Sequence, residues 1–210
     1  MTPNKITPIV RILIEKLDTT HEETYLPVEP EKNAEERNCF PVVQKKVEQC
    51  GGRMIMGWQI WETKHLVEAE CHAVWEDEDG DLHDITPKPE SLKIDRILFV
   101  EDENLIYEEK QIDNIRINKS KINLVDDLID VCKAIHRFDN KGERAYLYDL
   151  TDVLNDEQKT HRAYLVELKD CINFMLERGM NKKSLCPCGS TLKFIDCHGY
   201  NLRKRIEKDI

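Results

Sequence analysis

The chain has no long hydrophobic run, no excess of positive charge and no repeated or low-complexity segment. A membrane helix needs about 18 consecutive apolar residues, and no stretch of the sequence approaches that length. The N-terminal stretch MTPNKITPIVRILIEKLD carries charges within its apolar part and has no small-residue cleavage site. It therefore predicts an amphipathic helix rather than a signal peptide, and we expect a cytoplasmic protein.

The net charge of −10 is spread unevenly along the chain. Residues 181–210 carry seven basic and three acidic side chains, a charge of +4, so the rest of the chain carries −14. An acidic body argues against a protein that wraps nucleic acid over a large surface. The basic tail leaves two interpretations open: a solvated charged segment, or a local contact with RNA, a ribosome or an acidic protein.

The hydrophobic pattern predicts an α+β protein built on an antiparallel sheet. The segment NCFPVVQKKVEQCGG predicts a helix that begins at Asn38 or Cys39 and stops at Gly51-Gly52, and the polar stretch at 19–37 before it predicts a loop. Period-two patterns follow, interrupted by a turn, and the period becomes helical from Asn123 onward.

These patterns divide the chain into three parts. Residues 1–120 form a predicted α+β domain, residues 121–180 a helical segment, and residues 181–210 a small zinc knuckle with a basic tail.

The tail contains a cluster of metal-ligating side chains in the segment CPCGSTLKFIDCHG. Three cysteines and a histidine fall within thirteen residues, namely Cys186, Cys188, Cys197 and His198. Thiolates and imidazole are the ligands that zinc prefers, and so short a segment has little core to fold around without a metal. Because four ligands close the tetrahedral shell, the pattern indicates a structural zinc rather than a catalytic one.

This segment resembles the SEC-C motif, a small zinc module with a Cys-x-Cys pair, a Gly-Ser turn and a Cys-His or Cys-Cys close. The resemblance covers about fourteen to twenty residues. It implies a Zn²⁺ ion, a bacterial or phage-like origin, and docking to a protein or ribosomal partner.

The other cysteines are predicted to be unpaired, since a chain without a secretory signal is not expected to form disulfides. Those that fall in helix- or strand-like runs are predicted to be buried thiols: Cys50, Cys71, Cys132 and Cys171.

A second constellation consists of Cys39, His72 and Asp84. Cys39 lies where a helix should begin, which favours its thiolate. His72 lies in a predicted strand and Asp84 in the next one, so a hairpin could bring them together, with the carboxylate orienting the imidazole. A lone strand histidine is more often a structural residue and Asp84 could be only a turn residue, so both interpretations stay open.

The order of these residues resembles that of the transglutaminase-like cysteine enzymes, a branch of the papain-like group. The segment HAVWEDEDGDLHDITP is similar to their His and Asp motifs, and NCF is similar to their nucleophile followed by an aromatic residue. The resemblance covers about residues 36–90 and implies that Cys39 is the nucleophile, His72 the base and Asp84 the orienting group.

The sequence leaves three functions open. The first is a cysteine hydrolase or acyl transferase acting on amide bonds, with the zinc module as a docking arm. The second is a non-catalytic adaptor that recruits a protein, a ribosome or RNA through the zinc knuckle. The third, a module that reads RNA through the knuckle, ranks last because only Phe194 and Tyr200 offer rings for stacking there.

Overall fold

A computed structural model describes residues 1–36, 38–147 and 149–208 of the chain. The chain forms two compact units, one made of residues 1–107 and 114–119, the other of residues 108–113 and the chain from 120 onward. Within the described residues the first unit holds a six-stranded antiparallel sheet, and the second is helical and ends in the Cys/His cluster. The predicted α+β class is therefore confirmed. The three-part division at residues 120 and 180 stays a prediction, and the last two residues of its tail, 209 and 210, lie outside the described ranges.

The elements of the first unit are α1 (Pro8–Glu15), β1 (Glu23–Pro27), α2 (Cys39–Cys50), β2 (Arg53–Glu62), β3 (Leu66–Glu76), β4 (Leu82–His83), β5 (Arg96–Glu101) and β6 (Ile115–Asn118). The sheet has the strand order β1-β5-β2-β3-β4, and β6 pairs with β3. Every pairing between these strands is antiparallel.

The loop prediction for residues 19–37 is wrong where β1 lies, and its last residue, Arg37, is outside the described ranges. The strand β1 pairs with β5 over its whole length. Only Leu26 in this strand is buried, and it packs in one core cluster with Ile55, Val74, Ile97 and Phe99. One apolar residue between charged residues and prolines gives no period-two signal, which is why the pattern did not reveal the strand.

Helix α2 begins and ends where the sequence predicts. Its first residue is Cys39, and Gly51 follows its last turn with a φ of +74°, a left-handed conformation that favours glycine. Asn38 precedes the helix, although its side chain makes no capping hydrogen bond. The buried side of α2 packs Cys39 and Val43 against Ala73 of β3 and Ile85.

One edge of β3 is only partly covered by neighbouring strands. The strand β6 pairs with residues 66–69 and β4 pairs with residues 75–76, whereas β2 covers the opposite edge throughout residues 67–76. No strand in the described part of the chain pairs with residues 70–74 on the β4/β6 side. His72 lies in the middle of this uncovered stretch, next to Ala73, on which α2 packs.

The second unit is built on two long helices, α3 (Asn123–Asp139) and α4 (Asp156–Glu177). Their apolar faces match the predicted helical spacing, since Leu128, Leu165 and Leu168 are all buried. Helix α4 begins at a capping box, in which Asn155 and Gln158 exchange side-chain and backbone hydrogen bonds. Among the described residues, no helix is both long and apolar enough to cross a membrane.

The Cys/His segment packs onto these helices rather than projecting from them. Phe194 is fully buried, and the short helix α5 (Leu202–Ile206) buries both of its terminal residues. Arg137 of α3 donates a hydrogen bond to the carbonyl of Ile206 at 2.8 Å, and Lys182 lies 2.7 Å from Asp127 of α3. The cluster therefore has a packed base within the second unit.

Candidate functional site

The four side chains of the tail cluster converge in space. Their ligand atoms all lie within 4.8 Å of one another, and Cys186 Sγ is 3.2 Å from His198 Nδ1. Cys197 Sγ lies 3.5 Å from Cys188 Sγ and 3.5 Å from His198 Nδ1. Metal–ligand bonds of about 2.0–2.3 Å in a tetrahedron require ligand atoms roughly 3.5 Å apart, so these residues could hold a metal ion.

Local backbone contacts bring the two halves of the cluster together. The amide of Cys186 donates to the carbonyl of Leu192 at 2.7 Å, and Gly189, with a φ of +80°, lets the chain reverse between them. The hydroxyl and amide of Ser190 lower the pKa of Cys188 to about 6. A thiol with that pKa is a thiolate at neutral pH, the form that binds a metal.

Helix α4 supports the cluster from behind. Glu167 Oε1 accepts a hydrogen bond from His198 Nε2 at 3.3 Å, which leaves Nδ1 directed at the three sulfur atoms. A carboxylate behind a histidine fixes the tautomer that a metal ligand needs. One turn further along α4, burial together with the neighbouring thiols of Cys186, Cys188 and Cys197 raises the pKa of Cys171 to about 12. Neither Glu167 nor Cys171 was predicted from the sequence, because both are far from the motif along the chain.

The second constellation also comes together, starting with His72 and Asp84. His72 Nε2 lies 3.0 Å from Asp84 Oδ1, and neither residue is exposed by more than 4%. Two backbone amides fix Asp84. The amide of Thr86 donates to the carboxylate oxygen Oδ1, and the amide of Glu29, just beyond β1, donates to the backbone carbonyl of Asp84. Burial raises the pKa of Asp84, but its hydrogen bond and charge interactions with His72 and Lys88 hold it below the usual value.

Cys39 reaches the imidazole at the uncovered edge of β3. The imidazole of His72 and the backbone amide of Ala73 both lie close enough to stabilise its thiolate. Burial and the carboxylate of Glu70 raise the pKa of Cys39, but His72 and the Ala73 amide outweigh them, so the pKa lies below its ordinary value. The start of α2 thus places a nucleophilic atom beside a base.

The charge state of His72 follows from the same contacts. Burial lowers its pKa, as does the cation of Lys88, but Cys39 and the hydrogen bond to Asp84 outweigh them and raise it to about 9. Because the pKa of the thiol is lowered and that of the imidazole is raised, the proton favours the imidazole. The arrangement can therefore hold a thiolate–imidazolium pair at neutral pH.

Sequence reasoning missed Lys88, which joins this group. Lys88 Nζ lies 2.7 Å from Asp84 Oδ2, 3.0 Å from Gln59 Oε1 and 3.4 Å from His72 Nε2. A lysine between two prolines resembles an ordinary loop residue, and nothing in its local sequence indicates that it is buried.

The prediction of buried thiols outside the two sites holds for one of the four residues. Cys71 is buried, whereas Cys50 is exposed at the end of α2, and Cys132 and Cys171 are half-buried. All eight cysteines lie within the described residues, and all are free of disulfides.

Comparisons of the chain with protein-family models, with curated proteins and with solved structures give no match. The structure bears out one part of these resemblances, namely a Cys₃His cluster that is compatible with a metal-binding module. Membership of the SEC-C or transglutaminase-like families stays a prediction.

We expect the substitution Cys39→Ala to lower the pKa of His72. The negative sulfur raises that pKa, so its removal should shift the His72 titration downward by about one unit or more. NMR titration of the ¹⁵N-labelled imidazole measures the shift. Cys71→Ala is the matched control, because burial raises the pKa of Cys71 to about 12 and its thiol is therefore uncharged at neutral pH. Equal shifts in both variants, or none in either, would contradict the interaction.

Proposed function

We propose that the first unit is a cysteine hydrolase or acyl transferase that acts on amide bonds. The observation that carries this proposal is the buried His72–Asp84 hydrogen bond, beside which Cys39 lies close enough for the imidazole to lower the pKa of its thiol. Cys39 is the nucleophile, His72 the general base and acid, and Asp84 the group that fixes the imidazole. This division of roles is that of a catalytic triad, which is recognised by geometry rather than by position in the sequence.

The steps follow from the two nitrogens of the imidazole. Asp84 occupies Nε2, so Nδ1 is the nitrogen left for the thiol of Cys39. The thiolate attacks the carbonyl carbon of the substrate, and a C–S bond forms while the carbonyl electrons move onto oxygen. As the intermediate collapses, the C–N bond breaks and the imidazolium gives its proton to the leaving amine. The acyl group then remains on sulfur as a thioester.

A second nucleophile completes the cycle. Water or an amine attacks the thioester, neutral His72 takes its proton, and the C–S bond breaks to restore the thiolate and the imidazolium. Water as acceptor gives hydrolysis, and an amine gives acyl transfer. The resemblance of residues 36–90 to transglutaminase-like enzymes supports the same assignment.

We expect Cys39 to react with iodoacetamide at pH 7 at least about tenfold faster than it does in the variant His72→Gln. A thiol with an unshifted pKa is only a few per cent ionised at that pH, whereas a thiol paired with imidazolium is largely ionised. Quenched time points analysed by peptide mass spectrometry give the rate at each cysteine. Cys50, which is exposed and outside both sites, serves as the internal control in each sample. An unchanged Cys39 rate in His72→Gln would rule out the catalytic assignment.

We also propose that the ion held by Cys186, Cys188, Cys197 and His198 is Zn²⁺ and that its role is structural. Three sulfurs and one imidazole nitrogen are a ligand set that zinc favours, and they leave no coordination position for water. The carboxylate of Glu167 behind His198 is the kind of outer contact that supports such a ligand. A cytoplasmic location, where thiols stay reduced, is consistent with eight free cysteines.

We expect about one zinc per chain in the purified protein and a loss of most of it in Cys188→Ser, because a serine hydroxyl is a poor ligand for zinc. Glu167→Gln should keep the site but weaken zinc binding about 10- to 100-fold. Elemental analysis and competition with a chromogenic chelator measure the two effects. Cys50→Ser removes a thiol outside the cluster and should retain the metal. Equal zinc in Cys188→Ser and Cys50→Ser would refute the assignment.

A non-catalytic adaptor is the second candidate, and the surface of the zinc knuckle favours it. Four large apolar side chains there are 45–63% exposed: Leu185, Leu192, Ile195 and Tyr200. Basic residues surround them in the sequence, including Lys193 and Lys204. Apolar side chains among positive charges suit an acidic partner surface, and a protein or a ribosome fits better than free nucleic acid.

If the knuckle is a docking surface for ribosomes, the protein should co-sediment with purified ribosomes, and the double variant Leu192→Ser/Ile195→Ser should reduce the bound fraction several-fold. The apolar contacts would be lost while the metal ligands remain. Ile12→Ser on α1 is the control, since Ile12 is 46% exposed in the other unit. Absence of co-sedimentation, or equal binding by all three proteins, would remove the ribosome as a partner.

A further inference from the structure

Lys88 has a place in the proposed reaction beyond the three residues that define it. We propose that Lys88 is a positioning residue that shares the Asp84 carboxylate with His72 and so keeps the imidazolium proton transferable. The proposal rests on the proposed function of Cys39 and His72. It concerns how strongly His72 holds its proton, not whether Cys39 is a nucleophile.

The geometry places Lys88 against the far side of the carboxylate. The Oδ1 atom of Asp84 accepts a hydrogen bond from His72, and its Oδ2 atom lies 2.7 Å from Lys88 Nζ. The Lys88 side chain is only 7% exposed, and Gln59 of β2 accepts a hydrogen bond from its ammonium group at 3.0 Å. A lysine is rarely buried unless it is paired, so this position of the ammonium group is defined by its partners rather than by solvent.

Lys88 supplies the second cation beside the two buried anions of this group. In the thiolate–imidazolium state the anions are Cys39 and Asp84 and the cations are His72 and Lys88. Without Lys88, the imidazolium would be the sole nearby cation for two anions in a region of low dielectric. The imidazolium would then hold its proton more strongly, because opposite charges attract each other more strongly where water is excluded.

Excessive stabilisation of the imidazolium would slow the reaction at a defined step. The proton on His72 must pass to the leaving amine, and an acid with too high a pKa transfers it poorly. Lys88 Nζ also lies 3.4 Å from His72 Nε2, where its charge opposes that of the protonated ring. The sharing of the Asp84 carboxylate and the repulsion between the two cations both make the His72 proton easier to release. The Lys88 cation accordingly lowers the pKa of His72.

Other groups near the imidazole do not substitute for this cation. Helix α2 contributes Cys39, and the segment after β4 contributes Asp84 and Lys88. From the sheet, β2 contributes the uncharged Gln59, and β3 contributes Glu70, which is an anion. Lys88 is the cation that acts on His72 among these groups.

The test compares the titration of His72 in the wild-type chain and in four variants. Lys88→Met and Lys88→Gln remove the charge, and each should raise the pKa of His72 by about one unit. Lys88→Arg keeps the charge, so the pKa of His72 in this variant should lie within about half a unit of the wild-type value. Lys119→Met removes a lysine that pairs with Glu62 at the same distance, 2.7 Å, and should leave His72 unchanged. NMR of the labelled imidazole from pH 6 to 11 provides the readout.

A purely structural role for Lys88 predicts a different result. It would change the melting temperature without moving the His72 titration, and an unchanged or lowered pKa in Lys88→Met and Lys88→Gln would overturn the proposal. Loss of the fold in both neutral variants, seen by circular dichroism, would also overturn it, because Lys88 would then serve stability.

The iodoacetamide rate of Cys39, measured in the same samples, separates this proposal from the proposed function. A slow wild-type Cys39 refutes the enzyme. A fast Cys39 with an unmoved His72 titration refutes only the role of Lys88.

Discussion

The carboxylate of Asp84 is fully excluded from solvent, and the first unit is arranged to compensate its charge. An isolated buried carboxylate costs several kcal/mol, and proteins tolerate one only when it is paired and hydrogen-bonded. Here an imidazole, an ammonium group and a backbone amide approach its two oxygens. The imidazole is thereby fixed in one orientation, and the ring nitrogen that remains is the one available to Cys39. The proposed nucleophile, the proposed base and the loop that carries Lys88 all depend on this one group.

The second unit meets a related requirement by other means. Three thiols and an imidazole converge on one point, and without a metal ion their anionic forms would repel one another. The base of the knuckle, formed by Phe194 and by α5, packs on the helices of the same unit, so part of its order comes from apolar burial. The role assigned to the ion is therefore to set the geometry of the loop around Cys186 and Cys197, while the helices hold its base.

Local sequence signals predicted the features that depend on neighbouring residues. The bounds of α2 and the convergence of the four cluster side chains follow from spacing and turn residues, and strand alternation offered the pairing of His72 with Asp84 as one of two interpretations. The remaining features depend on residues far apart in the chain. Lys88, Glu167 and Cys171 have no distinctive flanking sequence, and their roles arise from the tertiary fold alone. The strand β1 was missed because its pairing with β5, rather than its own side chains, makes it a strand.

The backbone contact between the segment after β1 and Asp84 has a consequence for how the chain folds. The amides of Glu29 and Glu31 donate to the carbonyls of Asp84 and Ile85, more than fifty residues away. Contacts of such high sequence separation form slowly, since a long loop must close before they stabilise anything. We expect His72 and Asp84 to meet early in a local hairpin, and the loop that carries Asp84 to become rigid later, once the N-terminal segment has been added to the sheet. On this expectation, full order around the thiol forms late on the folding pathway.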